Sequence, residues 1–241
     1  MSVSDPRGDA KRSRAPGRGV PFVVEERKTV AYRLARLAAG TVVKLYWRPS
    51  VTGRESIAES GAVILTPVHR SFADFIFTAI LTDRKIFFMA KDSLWNSKIL
   101  GRLLISWGAF PVHREAADRE ALSHAEEVLN AGQVLVLFPE GTRKEGREIG
   151  DLLEGAAFLS ARTGASIVPI GIGGSDRSMP KGKKVPKPIK IDIVVGEPVR
   201  APERSARGRV SRTRVHEVTL MLRRSIQRVY DEARDRQASR K

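Results

Sequence analysis

The chain of 241 residues carries 43 Lys and Arg against 27 Asp and Glu, a formal net charge of +16, and contains no cysteine. This excludes a disulfide-stapled scaffold, thiolate metal sites and a cysteine nucleophile, and the 41% of hydrophobic residues excludes wholesale disorder. The length fits one α/β domain, and the lack of cysteine suits a reducing cytoplasm.

In chain order, residues 1–24 read as a flexible basic arm, with Arg and Lys among Pro and Gly and no apolar signal core. Residues 25–48 read as an amphipathic helix. Val30, Leu34, Leu37 and Ala38 recur at helical spacing, Arg33, Arg36 and Lys44 interrupt them, and Tyr46-Trp47 stand near the end. Such a helix lies in a membrane surface or packs on the protein's own core, and periodicity alone leaves both open. No run of roughly 20 apolar residues, the length needed to span a bilayer, is present.

Residues 49–241 form the remaining domain. Short apolar runs at 62–66, 85–90, 109–112, 134–138, 165–172 and 189–195 read as strands. Amphipathic stretches at 71–81, 93–107, 115–131, 151–163 and 208–236 read as helices between and after them, with a basic loop over 176–190. Strands alternating with helices predict an α/β fold: a single layered domain with a mostly parallel central sheet flanked by helices, plus the N-terminal amphipathic helix.

The charge is unevenly placed along this frame. Residues 1–20 balance at +3, residues 177–190 at +6 without any acid, and residues 201–241 at +7, leaving the rest neutral. A basic periphery of this kind draws an anionic leaflet, nucleic acid or phosphorylated ligands, or simply keeps the surface soluble.

In open parallel sheets, ligands bind beyond the carboxyl ends of the strands, and three clusters fall there. The first contains His69 and Asp74, five residues apart around a strand-to-helix turn. Asp74 either caps the helix begun at Ser71 or fixes one imidazole nitrogen of His69, leaving the other as a general base. The second is Phe138-Pro139-Glu140-Gly141-Thr142-Arg143. Its Arg suits a phosphate or carboxylate, unless Glu140 and Arg143 simply pair with each other. The third, Gly108 to Arg114, ends another strand with an Arg, and Lys91 ends the strand at 85–90. There is no P-loop, dinucleotide fingerprint or nucleophile elbow, and the four histidines lack metal-ligand spacing; His124 and His216 read as surface residues.

Together and in order, these clusters resemble the glycerolipid acyltransferases, which act on glycerol 3-phosphate or 1-acylglycerol 3-phosphate. His69-x4-Asp74 looks like their H-x4-D motif, Gly108–Arg114 the second block, FPEGTR (138–143) the third and Val168-Pro169-Ile170 the fourth, spanning about 60–172. The resemblance implies that His69, oriented by Asp74, takes the proton of an acceptor hydroxyl as it attacks an acyl thioester. It implies acceptor contacts from Arg114, Glu140, Gly141, Thr142 and Arg143, with Lys91 beside them. No metal and no bound cofactor are implied; acyl-CoA or acyl carrier protein is the donor, and phosphatidic acid the product. The expected location is the cytoplasmic, inner face of a membrane, held peripherally on an anionic surface. Val68 stands where many lysophosphatidate acyltransferases have Asn, and HRSFADF looks like the glycerol-3-phosphate version, so that acceptor, or another lysophospholipid or alcohol, is the alternative. A nucleic-acid-binding module is the rival from another class, suggested by Arg207–Arg228, yet Val215, Val218, Leu222 and Ile226 mark a buried face there and no recognition motif appears.

Overall fold

A computed structural model describes residues 30–97, 101, 104, 105, 107–112, 119–180, 182, 183, 185–201 and 211–240. The arm expected over 1–24 lies outside these residues, as do the first residues of the expected helix at 115–131 and several of the helix at 93–107.

Seven strands form one sheet: β1 Ser50–Thr52, β2 Val63–Pro67, β3 Ile86–Lys91, β4 Ala109–Val112, β5 Val134–Val136, β6 Ser166–Gly173 and β7 Asp192–Val195. Their order is β1-β7-β6-β2-β5-β3-β4. The five strands from β6 to β4 are parallel, whereas β7 pairs antiparallel with β6 and carries β1 parallel to itself. The sheet is therefore mostly parallel, as its apolar runs predict: every residue of β2, β5 and β7 is buried, the pattern of strands covered on both faces. The edge strand β1 escapes sequence reading, because Ser-Val-Thr over three residues carries no pattern.

The covering helices are α1 Val30–Tyr46, α2 Asp74–Ala79, α3 Arg119–Asn130, α4 Gly155–Thr163, a four-residue α5 Ser175–Ser178, and the long α6 Arg212–Ser239. Two depart from expectation. Helix α2 starts at Asp74 rather than 71, because residues 70–73 are spent in a turn. Over 93–107 the chain opens with a 3₁₀ turn, Asp92–Asn96, and the described residues 101, 104 and 105 further on are helical as expected.

Helix α6 buries Val215, Val218, Leu222, Ile226, Val229, Tyr230 and Ala233 along one stripe, and its Ser211 Oγ caps the first turn by accepting from the Arg214 N–H at 3.1 Å. It packs on β6 at two glycines. A Cβ on Gly171 would lie 2.1 Å from the Val229 carbonyl oxygen, and one on Gly173 2.2 Å from that of Ala233. Only bare backbone lets helix and strand approach so closely. The half-buried His124 sets its ring edge-on to Phe110 at 6.0 Å instead of lying on the surface. His216 is exposed as expected, 3.2 Å from Glu154.

Adjacent parallel strands β2 and β5 set the position of the site. Their register aligns Leu65 with Val136, and the Leu137 N–H still donates to the Leu65 carbonyl at 3.0 Å. The turns that follow, at His69 and at Phe138, thus leave the same sheet edge side by side.

Candidate active site

After β2 the chain turns sharply before entering α2, and one carboxylate oxygen organises that turn. Asp74 Oδ2 accepts the backbone N–H of Arg70 at 2.7 Å and of Ser71 at 2.6 Å, and lies 3.1 Å from His69 Nδ1. One oxygen thus receives the N–H groups of the turn and faces the imidazole, whereas α2, beginning at Asp74, has Ala73 as its N-cap and no side-chain cap, so the cap expected for a helix begun at Ser71 is not formed. Asp74 is fully buried, and its Oδ1 has no hydrogen-bond partner. Because an ionised carboxylate only accepts, the neutral imidazole carries its proton on Nδ1 and keeps a lone pair on Nε2.

The His69 ring stacks on Phe138, with centroids 4.1 Å apart and planes tilted by 31°. Phe138, the first residue of the FPEGTR block, thereby sets the plane of the imidazole. The His69 side chain is 11% exposed, so part of the ring reaches solvent.

Glu140 does not pair with Arg143. Its Oε1 and Oε2 lie 2.9 and 2.7 Å from Arg70 Nη1, and Oε2 also accepts the His69 backbone N–H at 3.1 Å. Arg70 further donates through Nη1 to the His69 carbonyl at 3.2 Å, through Nε to Gly146 at 3.1 Å, and through Nη2 to Glu148 at 3.0 Å. Its guanidinium rests 5.2 Å from the centre of the Tyr230 ring on α6. One buried cation thus ties the β2 turn, the β5 turn, the loop at 146–148 and the long helix together. Sequence reasoning missed Arg70, because its position directly after the histidine does not reveal a partner 70 residues away.

Gly141 takes φ +69°, a left-handed turn that favours glycine, and a Cβ there would meet Leu153 Cδ1 at 2.9 Å. The turn presents Thr142 as exposed and Arg143 as half-buried, and Arg143 has no hydrogen-bond or ion-pair partner among the described residues. Lys91 is exposed at the carboxyl end of β3, in register with Val112. Arg114, the remaining expected contact, lies outside the described residues. Among the described residues, no group of three or more His, Asp or Glu is placed to hold a metal.

A cleft of about 600 Å³ lies behind α2, lined by Leu37 and Val43 of α1, Phe75 and Ile76 of α2, Phe88 of β3, and Trp107. Phe75 follows Asp74 directly and stacks on Phe88 at 6.0 Å, so the cleft begins one residue from the His69–Asp74 turn. Among the described residues, no helix is long and apolar enough to cross a membrane.

A model of the Acyltransferase family matches residues 48–173, the span holding His69, Asp74, Lys91, Glu140 and Arg143. The chain is 26% identical over 188 residues to the chloroplastic 1-acyl-sn-glycerol-3-phosphate acyltransferase LPAT1 of Arabidopsis thaliana, covering 75% of this chain and 52% of that one. It is 26% identical over 169 residues to the 1-acyl-sn-glycerol-3-phosphate acyltransferase of Bacillus subtilis, covering 70% and 82%. The chain spans about half the length of the two plant relatives it matches. The crystal structure of the 1-acyl-sn-glycerophosphate acyltransferase PlsC from Thermotoga maritima superposes with a TM-score of 0.60 at 21% identity over 81% of each chain, which shows a shared fold.

Proposed function

Because this chain belongs to the Acyltransferase family, we propose that it moves a fatty acyl group from a thioester to the free hydroxyl of 1-acylglycerol 3-phosphate, forming phosphatidic acid. The observation that carries the reading is the 3.1 Å contact of His69 Nδ1 with Asp74 Oδ2, which leaves Nε2 free to act as a base. Nε2 takes the hydroxyl proton as the oxygen attacks the thioester carbonyl. The carbon–sulfur bond then breaks, and the departing thiolate takes the proton back from the imidazolium. No covalent enzyme intermediate is required, in keeping with a chain that has no cysteine.

Arg143, with no partner among the described residues, holds the acceptor phosphate, and Thr142 and the backbone at Gly141 border it; Arg114 and Lys91 are the further cations proposed for this role. Glu140 has both oxygens committed to Arg70 and to the His69 backbone, which supports a role in holding the base rather than in gripping glycerol. The apolar cleft beside Phe75 is of the size that binds small ligands, roughly 300–1,000 Å³, and is the proposed berth of an acyl chain. The donor is the thioester of coenzyme A or of acyl carrier protein. The enzyme works peripherally from the cytoplasmic side of a membrane, with α1 lying in its surface. Glycerol 3-phosphate is the second reading for the acceptor, favoured by the string HRSFADF at 69–75.

The deciding measurement is thiol release from palmitoyl-CoA by the purified protein in liposomes, with 1-acylglycerol 3-phosphate, glycerol 3-phosphate or no acceptor. Release that depends on the lyso-lipid is expected. Preference for glycerol 3-phosphate selects the second reading, and silence with both acceptors and both donors overturns the function.

A further inference from the structure

We propose that the basic loop over 177–190 is a docking surface for anionic lipid headgroups and sets the His69 turn at the plane of the bilayer. The inference rests on the proposed lipid acceptor, and deepens it by naming where the membrane is met.

Three observations carry it. The first is charge: Arg177, Lys181, Lys183, Lys184, Lys187 and Lys190 stand in fourteen residues without one acid. The second is exposed apolar surface of the kind a bilayer covers. Helix α1 buries Tyr32 and Val43, and Trp47 just beyond its end is buried too, but the helix exposes Leu34, Leu37, Val42 and Leu45, the last at 76%, and Val185 in the loop is 78% exposed. An acidic protein would complement the lysines yet has no need of these side chains; an anionic bilayer complements both.

The third is how the loop is fastened. The Tyr46 hydroxyl donates to the Pro186 carbonyl at 2.7 Å, next to Val185, which joins the loop to the end of α1 beside Leu45. Trp47 Nε1 donates to Ser178 Oγ at 2.6 Å, and Ser178 Oγ donates in turn to the Lys187 carbonyl at 2.9 Å. At its start the loop is tied to the catalytic turn, because Ser71 Oγ donates to the Met179 carbonyl at 3.0 Å. Ser71 also gives its N–H to the same Asp74 oxygen that orients His69. Whatever surface holds the loop therefore lies within a few bonds of the base, where a lipid acceptor presents its hydroxyl.

The test uses the full chain and sedimentation with vesicles of phosphatidylcholine alone, or of an equal mixture of phosphatidylcholine and phosphatidylglycerol. Lys183 and Lys187 are exposed, so the double substitution Lys183→Glu, Lys187→Glu leaves the fold intact, checked by an unchanged melting curve. Binding to the mixed vesicles should fall at least about tenfold in that variant and weaken as salt rises, with little binding to neutral vesicles in either protein. Val185→Asn should weaken binding in the same direction. Equal binding of variant and parent, or equal binding of the parent to both vesicles, overturns the proposal. Loss of acyl carrier protein binding with vesicle binding retained overturns it in favour of a protein partner. Vesicle binding needs no turnover: if binding behaves as expected while no acceptor supports thiol release, the function fails and the docking surface stands.

Discussion

Glu140 and Arg70 lie 70 residues apart in sequence and meet through a single nitrogen, with both side chains about 1% exposed. A buried ion pair contributes little net stability relative to apolar residues, but breaking one half strands the other charge at a cost of about 3–5 kcal/mol. Its value here is positional. The pair, together with the His69 N–H and carbonyl that it engages, fixes the backbone from which the His69 ring projects.

Glu140→Gln retains an acceptor for the His69 N–H but removes the charge facing Arg70, and should lower kcat by at least about tenfold with the KM for the acceptor within about threefold. Steady-state kinetics with varied acceptor checks this. A rise in KM alone would instead make Glu140 a substrate contact.

His69→Ala should lose at least about two orders of magnitude in rate, the usual contribution of a general base, while the protein stays folded. The ring lies at the wall of the site, so thermal melting should change little while thiol release collapses.

Asp74→Ala should lose activity and stability together. It strands the buried N–H groups of Arg70 and Ser71, at about 1–3 kcal/mol each. Asp74→Asn can still accept from both and should melt closer to the parent, yet remain impaired because an amide does not stabilise the imidazolium formed during turnover. Denaturant titration beside kinetics separates the two effects.

Arg143→Ala breaks no hydrogen bond or ion pair among the described residues, so stability should stay within about 0.5 kcal/mol, as for an ordinary surface change. The KM for the phosphorylated acceptor should rise by at least about tenfold, the loss of a charge-assisted contact, with that for the thioester little changed. Equal effects on both substrates would contradict a phosphate contact.

Gly171→Ala should destabilise by about 1–3 kcal/mol, since a methyl 2.1 Å from the Val229 carbonyl forces α6 off β6. Chemical denaturation measures it directly.

Much of this arrangement is legible in the sequence because it is local. Buried parallel strands announce themselves as unbroken apolar runs such as Val63–Leu65 and Val134–Val136, and His69 with Asp74 span a single turn. What escapes is non-local or depends on backbone. Nothing near Glu140 signals that its cation is Arg70 and not the nearby Arg143. The apolar run at 71–81 has helical spacing, but two backbone N–H groups and one imidazole nitrogen gathered on Asp74 hold its first residues in a turn. Gly171 and Gly173, which in sequence stand only at the close of the apolar run at 165–172, are the notches into which α6 settles.

The Tyr230 ring beneath Arg70 has a consequence for a shortened chain. All seven strands and the whole His69 turn are synthesised before residue 211, but the aromatic shelf under the guanidinium belongs to α6. A chain that ends at residue 200 holds His69, Asp74 and Glu140 but lacks the ring on which Arg70 rests. A truncation at that point should hold the motif without releasing thiol under conditions where the full chain does.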